Sequence, residues 1–247
     1  MNNAIDKMVV VITGASSGIG RAIALDLANK GAKVVVGARR TEELKKIVKE
    51  ISLSGGEAVY SPADVKQKED VIRLVNLALE TYGKLDVIIN NAGICRLSRI
   101  DELDVQGWDE MIDINLKGAL YGMAAAIPVF KRQGYGQIVN IISTSGLKIV
   151  PLQAVYAGTK NALRTIAEAF RQESDGKIRI TGISPGYVKT DFASKGVATE
   201  ELKQEVSRNV ENIGISAQSI ADAVVYAITQ PMHVEVGEIV IRPAAQN

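Results

Sequence analysis

The stretch that decides the fold is residues 9–20, which read VVVITGASSGIG. Four consecutive β-branched residues predict a buried strand, and the run that follows position 20 has the pattern of a helix. Between the two, glycines permit a tight turn and a close backbone approach, and the free N–H groups at a helix start attract an anion. The stretch therefore predicts a turn that binds the pyrophosphate of a dinucleotide.

The glycines of this turn have the spacing G-x-x-x-G-x-G, at Gly14, Gly18 and Gly20. This spacing departs from the G-x-G-x-x-G pattern of many dinucleotide folds. It also lacks the Gly-Lys-Ser/Thr end of an ATP-binding phosphate loop, so ATP chemistry is disfavoured.

The second predicted strand ends in Ala38-Arg39-Arg40. In dinucleotide folds an Asp or Glu at this place binds the ribose hydroxyls of NAD, whereas an Arg accommodates the 2′-phosphate of NADP. Ala38 stands at the usual acidic place, and the planar guanidinium of Arg39 suits a phosphate. We therefore predict NADP as the cofactor, with Arg39 at its phosphate; the alternative is that Arg39 faces solvent at a strand end.

Short β-branched runs alternate with longer amphipathic runs along the chain, which is the pattern of a parallel sheet covered on both faces. The predicted strands are Met8 to Ile12, Lys33 to Val36, Ala58 to Tyr60, Leu85 to Ile89, Gln137 to Ile142, Ile178 to Ile183 and Glu238 to Ile241. The predicted helices cover about 18–30, 41–54, 67–82, 108–132, 155–173, 200–210 and 216–229. We expect one α/β domain over residues 1–247, a doubly wound parallel sheet of seven strands with helices on both faces, the Rossmann fold, with ligands at the carboxyl ends of the strands.

Composition excludes several classes of partner. The 247 residues are 47% hydrophobic and 23% charged with a net charge of +1, so no basic surface for nucleic acid is expected. One cysteine and one histidine exclude an internal disulfide and a zinc-type metal site within the chain. The N-terminus has no apolar signal region, and the uncharged, largely apolar stretch at residues 118–130 is too short for a membrane span. We expect a cytoplasmic protein without metal or membrane partner.

Tyr156 and Lys160 stand four residues apart in a predicted helix, with Ser143 thirteen residues upstream. Residues at this spacing share a helix face, so the ammonium lies near the phenol. A nearby positive charge favours the phenolate, which predicts a pKa for Tyr156 below its ordinary value of about 10 and makes the trio a candidate acid. The alternative is a half-buried ring beside a surface amine.

Taken together, these motifs resemble the short-chain dehydrogenases/reductases of the compact type, over nearly the whole chain. Further motifs carry the resemblance: Asp64-Val65 after the third strand, Asn90-Asn91-Ala92-Gly93 after the fourth, Asn115 in the long helix, and Pro185-Gly186 with Thr190 after the sixth. The end of the chain lacks the Asp-Gly-Gly common in ketoacyl carrier-protein reductases. It is more similar to the NADP-dependent branch that includes serine 3-dehydrogenase-like and clavulanate dehydrogenase-like enzymes.

The resemblance implies an NADP(H)-dependent oxidoreductase that interconverts a secondary alcohol or hydroxy acid and a carbonyl by hydride transfer. It implies Tyr156 as acid/base, Lys160 at the nicotinamide ribose, Ser143 at the substrate oxygen and Asn115 at a proton-relay water. The other implied cofactor contacts are Gly14, Ser16, Ser17, Gly18, Ile19 and Gly20 at the pyrophosphate, Asp64 and Val65 at the adenine, Asn91 at the adenosine ribose with Ala92 and Gly93 beside it, and Pro185, Gly186, Val188 and Thr190 at the nicotinamide. The family is mostly tetrameric, so a homotetramer or a homodimer is expected.

Several alternatives stay open. A ketoacyl carrier-protein reductase-like activity and a non-catalytic NADPH sensor both use the same motifs. A serine hydrolase is disfavoured, because His233 is the one imidazole and Ser143 lacks a Gly-x-Ser-x-Gly surround.

The sequence says less about substrate binding than about cofactor binding. The polar stretch 187–212 is expected to be a mobile segment that closes over the ligand, the alternative being an ordinary surface excursion. Arg96 and Arg99 are candidates to bind a carboxylate and Gln153 to bind a hydroxyl, although all three also suit solvated loops. The sequence leaves the substrate, the preferred direction and the stereochemistry open.

Overall fold

The computed structural model describes residues 5–197 and 199–246. Within them, seven strands form one parallel sheet in the order β3-β2-β1-β4-β5-β6-β7. The strands are β1 Val9–Thr13, β2 Lys33–Ala38, β3 Glu57–Pro62, β4 Val87–Asn90, β5 Gly136–Ile141, β6 Ile178–Pro185 and β7 Glu238–Ile241. The seven predicted strands are thus confirmed, and the strand order reverses between β1 and β4, the expected ligand edge.

Helices connect the strands and cover the sheet. They are α1 Gly18–Asn29, α2 Thr41–Leu53, α3 Lys68–Tyr82, α4 Val105–Met111, α5 Gly118–Gln133, α6 Ala154–Glu173, α7 Glu200–Ile213 and α8 Ala217–Ile228. The long helix predicted at about 108–132 is found as α4 and α5 joined by a π-helical turn at Ile112–Lys117. In the described ranges no helix is both long and apolar enough to cross a bilayer.

Strand β1 shows why the sheet is covered on both faces. All its residues are buried, and successive side chains of a strand point to opposite faces. Val10 and Ile12 join the apolar cluster that includes α1 and α8, while Val9 and Val11 join the cluster that includes α3 and α5. Each such fully buried side chain stabilises the fold by on the order of 1.5–3 kcal/mol. The doubly wound Rossmann arrangement is therefore confirmed.

Close packing fixes the carboxyl ends of the two central strands β4 and β5. Gly122 of α5 lies so near Asn90 that an added Cβ would stand 2.0 Å from the Asn90 Oδ1 atom. The Asn90 amide nitrogen donates to Oδ1 of Asn140 at 2.9 Å, which links the ends of β4 and β5 inside the protein. The segments that leave these strands therefore start from defined positions.

Candidate active site

The turn between β1 and α1 is braced against the end of β4. Gly14 has a φ of +66°, and an added Cβ there would stand 2.7 Å from the Cα of Ala92, so only glycine fits. Asn91 donates from its amide nitrogen to the carbonyl oxygens of Thr13 at 2.9 Å and Gly14 at 3.1 Å. The Asn91 nitrogen that could reach a ribose is thus bonded to the turn, and its ribose contact remains a prediction.

The start of α1 suits an anion. The helix begins at Gly18, and the side chain of Ser17 at the N-cap position makes no capping hydrogen bond. The first N–H groups of a helix lack partners within it, so those of α1 can bind a negatively charged group at the turn. The turn brings together the predicted pyrophosphate residues Gly14, Ser16, Ser17, Gly18, Ile19 and Gly20.

The arginine at this turn is Arg40, which the sequence pattern did not single out. Its Nη2 donates to the hydroxyl oxygens of Ser16 at 2.9 Å and Ser17 at 2.6 Å, and its Nε donates to Ser16 at 3.2 Å. Arg39, like Arg40, is exposed just after β2; the pKa of Glu110 is lowered mainly by its hydrogen bond with Arg96, and the charge of Arg39 adds a small contribution. The repeated arginine was the available signal, but the pattern could not tell which of the two faces the turn.

The other predicted cofactor residues also gather at the carboxyl edge of the sheet. Thr190 reaches the turn, since an added Cβ on Gly18 would stand 3.3 Å from Cγ2 of Thr190. Gly186 follows β6 directly, with its N–H donating to the carbonyl of Ile241 at 2.8 Å. The remaining members are Asp64 and the buried Val65 after β3, Ala92 and Gly93 after β4, and Pro185 and the buried Val188 at and after the end of β6.

Tyr156, Lys160 and Ser143 are all buried where α6 meets the end of β5. Lys160 donates from Nζ to the carbonyl oxygen of Ile141 at 2.8 Å, and the same nitrogen lies 5.9 Å from the centre of the Tyr156 ring. The Ser143 hydroxyl lies close enough to the Tyr156 phenol to lower its pKa by hydrogen bonding, and its oxygen accepts a hydrogen bond from the N–H of Ser145 at 3.0 Å. The three predicted catalytic side chains therefore form one buried group.

Burial reverses the expected direction of the Tyr156 pKa. Removal of the phenol from water raises the pKa, the nearby Cys95 adds to this where its thiol ionises at high pH, and the hydrogen bond with Ser143 lowers it by less. Burial also lowers the pKa of Lys160, to about 8. The prediction that the pKa of Tyr156 is lowered is therefore wrong. Desolvation of the phenol raises the pKa by more than the hydrogen bond with Ser143 lowers it.

Asn115 lies in the π-helical turn and is held by three hydrogen bonds. Its Oδ1 accepts from the N–H of Ile94 at 2.8 Å, and its amide nitrogen donates to the Ile94 carbonyl at 2.9 Å. The amide nitrogen also donates to Oγ1 of Thr159 at 3.2 Å, and Thr159 in turn donates to the Tyr156 carbonyl at 2.7 Å. Asn115 therefore connects the segment after β4 to the helix that carries Tyr156.

The residues suggested for substrate binding have partners inside the protein. Arg96 pairs with Glu110 at 2.6 Å, and Arg99 pairs with Asp101 at 2.8 Å. Gln153 accepts a hydrogen bond from the hydroxyl of Ser145 at 2.6 Å. Each arginine therefore already has an acidic partner, which partly neutralises its charge.

The side chains that commonly bind metals are dispersed in the described parts of the chain. Those parts contain no group of three or more His, Cys, Asp or Glu residues placed to hold an ion. Cys95 is a free thiol, and burial raises its pKa to about 12, so it is neither a ready metal ligand nor a nucleophile.

Comparison with known proteins is consistent with this geometry. A family model described as short chain dehydrogenase matches residues 8–201. An uncharacterized oxidoreductase of Listeria monocytogenes is 44% identical over 245 residues, which cover 98% of this chain and 98% of the relative.

Solved structures share the whole fold. An alcohol dehydrogenase from Thermococcus sibiricus, complexed with 5-hydroxy-NADP, is 32% identical with a TM-score of 0.87 over 98% of this chain and 99% of that one. A serine dehydrogenase in a closed form with NADP+ is 27% identical with a TM-score of 0.89 over 97% and 96%. A short chain dehydrogenase/reductase from Burkholderia phymatum in complex with NAD is 26% identical with a TM-score of 0.87 over 96% and 89%.

Proposed function

Because this chain belongs to the short-chain dehydrogenase family of oxidoreductases, we propose that it interconverts a secondary alcohol and a carbonyl compound with NADP(H), using Tyr156 as acid/base. The observation that carries the proposal is the buried group of Tyr156, Ser143 and Lys160 beside the glycine-rich turn. A phenol that shares a hydrogen bond with a serine hydroxyl, within reach of a lysine, suits proton exchange with an alcohol oxygen.

The turn fits a dinucleotide phosphate. The close approach at Gly14 and the uncapped start of α1 leave backbone N–H groups for the pyrophosphate. The guanidinium of Arg40 at Ser16 and Ser17 supports binding of the NADP 2′-phosphate, with Arg39 as its neighbour. Two of the similar structures contain NADP forms and one contains NAD, so the preference for NADP rests on these arginines and on the missing acid at Ala38.

The cofactor, when bound, supplies the hydride for carbonyl reduction. Tyr156 gives its proton to the carbonyl oxygen as negative charge develops there, while the Ser143 hydroxyl donates a hydrogen bond to the same oxygen. The ammonium of Lys160 stabilises the phenolate left on Tyr156, and it would hold the ribose of the nicotinamide half when the cofactor is bound. Burial excludes water and thereby strengthens each of these interactions.

Reprotonation of Tyr156 needs a route for a proton. Gly93 lies between Asn115 and Lys160, since an added Cβ would stand 3.3 Å from Oδ1 of Asn115 and 3.6 Å from Nζ of Lys160. A water bound between these two polar groups would have a partner on each side. This supports the role of Asn115 in holding a relay water next to Lys160.

The proposal also covers the domain organisation, the location and the oligomeric state of the protein. We expect a single domain that acts in the cytoplasm as a homotetramer or a homodimer, with a mobile segment at 187–212 that closes over a small-molecule substrate. Light scattering measures the oligomeric state, and limited proteolysis with and without NADPH measures the mobility of the segment.

The test is NADPH absorbance with purified protein and a panel of ketones, aldehydes, sugars, oxo acids and ketoacyl thioesters, repeated with NADH. The proposal predicts NADPH consumption with a carbonyl compound and a higher kcat/KM for NADPH than for NADH. Fast turnover of ketoacyl thioesters would favour the carrier-protein reductase alternative. Tight NADPH binding without turnover of any carbonyl would favour a cofactor sensor.

A further inference from the structure

An aromatic ring lies over the catalytic tyrosine. The centre of the Phe192 ring is 6.1 Å from that of Tyr156, and the two planes are tilted by 55°. Tyr156 is buried, whereas Phe192 is 39% exposed. Tilted rings at this distance attract each other, so the contact helps to position Phe192 while part of its surface stays free for a ligand.

Phe192 belongs to a strap, residues 190–197, whose two ends lie against different segments of the chain. At the first end, Thr190 lies beside the glycine-rich turn, since an added Cβ on Gly18 would stand 3.3 Å from its Cγ2. At the other end, Leu97 donates from its N–H to the Gly196 carbonyl at 3.0 Å, and Leu97 and Val197 form a parallel bridge. The strap therefore spans from the cofactor turn to the segment after β4.

At the second end of the strap, position 196 can hold only glycine. An added Cβ on Gly196 would stand 1.4 Å from the carbonyl oxygen of Cys95, so the two backbones meet directly. Cys95 follows Ile94, which Asn115 holds at both its N–H and its carbonyl. The strap thus rests on a segment that is fixed to the catalytic helix, and Phe192 is its one aromatic residue.

We propose that Phe192 is a specificity-determining residue that selects carbonyl compounds with an uncharged aromatic or bulky apolar substituent. A substrate whose oxygen contacts Tyr156 and Ser143 would place a substituent of its carbonyl carbon against the Phe192 ring. An aromatic face attracts another ring and offers no partner to a carboxylate. Arg96 and Arg99, the candidate carboxylate ligands, are already paired with Glu110 and Asp101.

The inference rests on the proposed function and deepens it. It favours aryl and branched alkyl ketones over hydroxy acids as the substrate class. A single apolar pocket contact discriminates substrates by about 10- to 200-fold, and this sets the expected size of the effect.

The experiment compares kcat/KM for 1-phenylethanone, propanone and a 3-oxo acid in the wild type and three variants. Phe192→Ala should reduce kcat/KM for the phenyl ketone by about 10- to 100-fold, mainly through KM, and leave propanone within about 3-fold. Phe192→Tyr, which keeps the ring, should retain the preference. Ile149→Ala, which removes an exposed apolar side chain from the loop before α6, should change none of the three values by more than about 3-fold.

Two results would overturn the inference without touching the proposed function. The first is an equal loss on all three ketones in Phe192→Ala with unchanged NADPH affinity; the second is a wild-type preference for the oxo acid. Absence of turnover with every carbonyl compound would instead contradict the proposed function, and this inference with it.

Discussion

Arg164 and Glu238 form a forked ion pair that ties helix α6, which carries Tyr156 and Lys160, to strand β7. The Arg164 Nε lies 3.0 and 3.1 Å from the two carboxylate oxygens, and its Nη2 lies 3.0 Å from one of them. The same Nη2 donates to the carbonyl of Ser143 at 3.2 Å and to the hydroxyl of Ser184 at 3.1 Å. Burial acts against ionisation of Glu238, but the hydrogen bonds from Arg164 and Ser184 keep the pKa of its carboxyl below the ordinary value.

Loss of this pair should disturb the position of Ser143. We expect Arg164→Ala to lower the free energy of unfolding by about 1–3 kcal/mol, because a partly buried carboxylate loses its charged donors. We also expect a loss of about 10-fold in kcat, since Ser143 contacts the reacting oxygen in the proposed mechanism. Urea unfolding and steady-state kinetics measure the two effects.

Arg171→Ala provides the matched control for this prediction. Arg171 is on the same helix and makes an equally forked pair with Glu168, but both side chains are exposed. Its removal should change stability by no more than about 1 kcal/mol and leave kcat unchanged. Equal effects of the two substitutions would contradict a positioning role for Arg164.

The arginine that selects NADP should be Arg40. Arg40→Ala removes the guanidinium that contacts Ser16 and Ser17, so kcat/KM for NADPH should fall by about 10- to 100-fold while that for NADH stays within about 3-fold. Arg39→Ala tests the residue predicted from the sequence. Lys46→Ala removes an exposed charge from α2 as a control for the loss of one positive charge.

Steady-state kinetics of the wild type and these three variants with NADPH and with NADH distinguish the two arginines. A loss in Arg39→Ala alone would assign the phosphate to Arg39. An NADPH preference that survives both arginine substitutions would contradict the proposed basis of cofactor choice.

Gly158 offers a gain in stability without a change in activity. It lies inside α6 on the exposed side, and an added Cβ would meet no atom within 4 Å. Gly158→Ala should therefore raise the free energy of unfolding by about 0.5–1 kcal/mol, because alanine loses less backbone entropy in a helix. Urea unfolding measures the change, and kcat should stay as in the wild type.

At Gly134 the same substitution should lower stability, because the backbone there has a positive φ. Gly134 also has open space around its Cα, but it ends α5 with a φ of +80°. Gly134→Ala should destabilise by about 1–2 kcal/mol, since an L-residue is strained in that region. A gain in stability at both positions would show that space, rather than backbone conformation, decides the sign.

Burial of Lys160 should make stability rise with pH. The pKa of Lys160 is about 8 in the folded chain, below its ordinary value of 10.5. The unfolded chain therefore binds more protons between these values, and the free energy of unfolding increases with pH across that window. Relative to Lys160→Met, the wild type should gain about 2 kcal/mol between about pH 7 and about pH 9.5.

Urea unfolding of both proteins at the two pH values measures this difference. The comparison with Lys160→Met cancels the titration of other groups. A difference that stays constant with pH would contradict the lowered pKa of Lys160.

Much of the fold could be predicted because it depends on local patterns. Continuous β-branched runs such as residues 9–12 are buried on both faces in a parallel sheet, and the strands occur where those runs lie. The π-helical turn at Ile112–Lys117 could not be predicted in this way. It carries Asn115, whose partners Ile94 and Thr159 are distant in sequence.

In the site, too, features that depend on local spacing could be predicted, whereas features that depend on distant residues could not. The spacing of Tyr156 and Lys160 predicts a shared helix face, and both lie in one buried group with Ser143. The predicted direction of the Tyr156 pKa shift was wrong, because burial of the ring depends on which distant parts of the chain cover it. Arg164 and Glu238 are 74 residues apart and meet only in the folded chain, so no local motif indicates them.

The most direct test of the central claim is turnover by Tyr156→Phe. The substitution keeps the ring and removes the hydroxyl that carries the proton, while Tyr226→Phe removes a hydroxyl from an exposed ring as the control. We predict that Tyr156→Phe binds NADPH with an unchanged Kd and reduces a carbonyl substrate about 10²- to 10⁴-fold more slowly, whereas Tyr226→Phe matches the wild type. A Tyr156→Phe variant with near-wild-type kcat would contradict the assignment of Tyr156 as the acid/base.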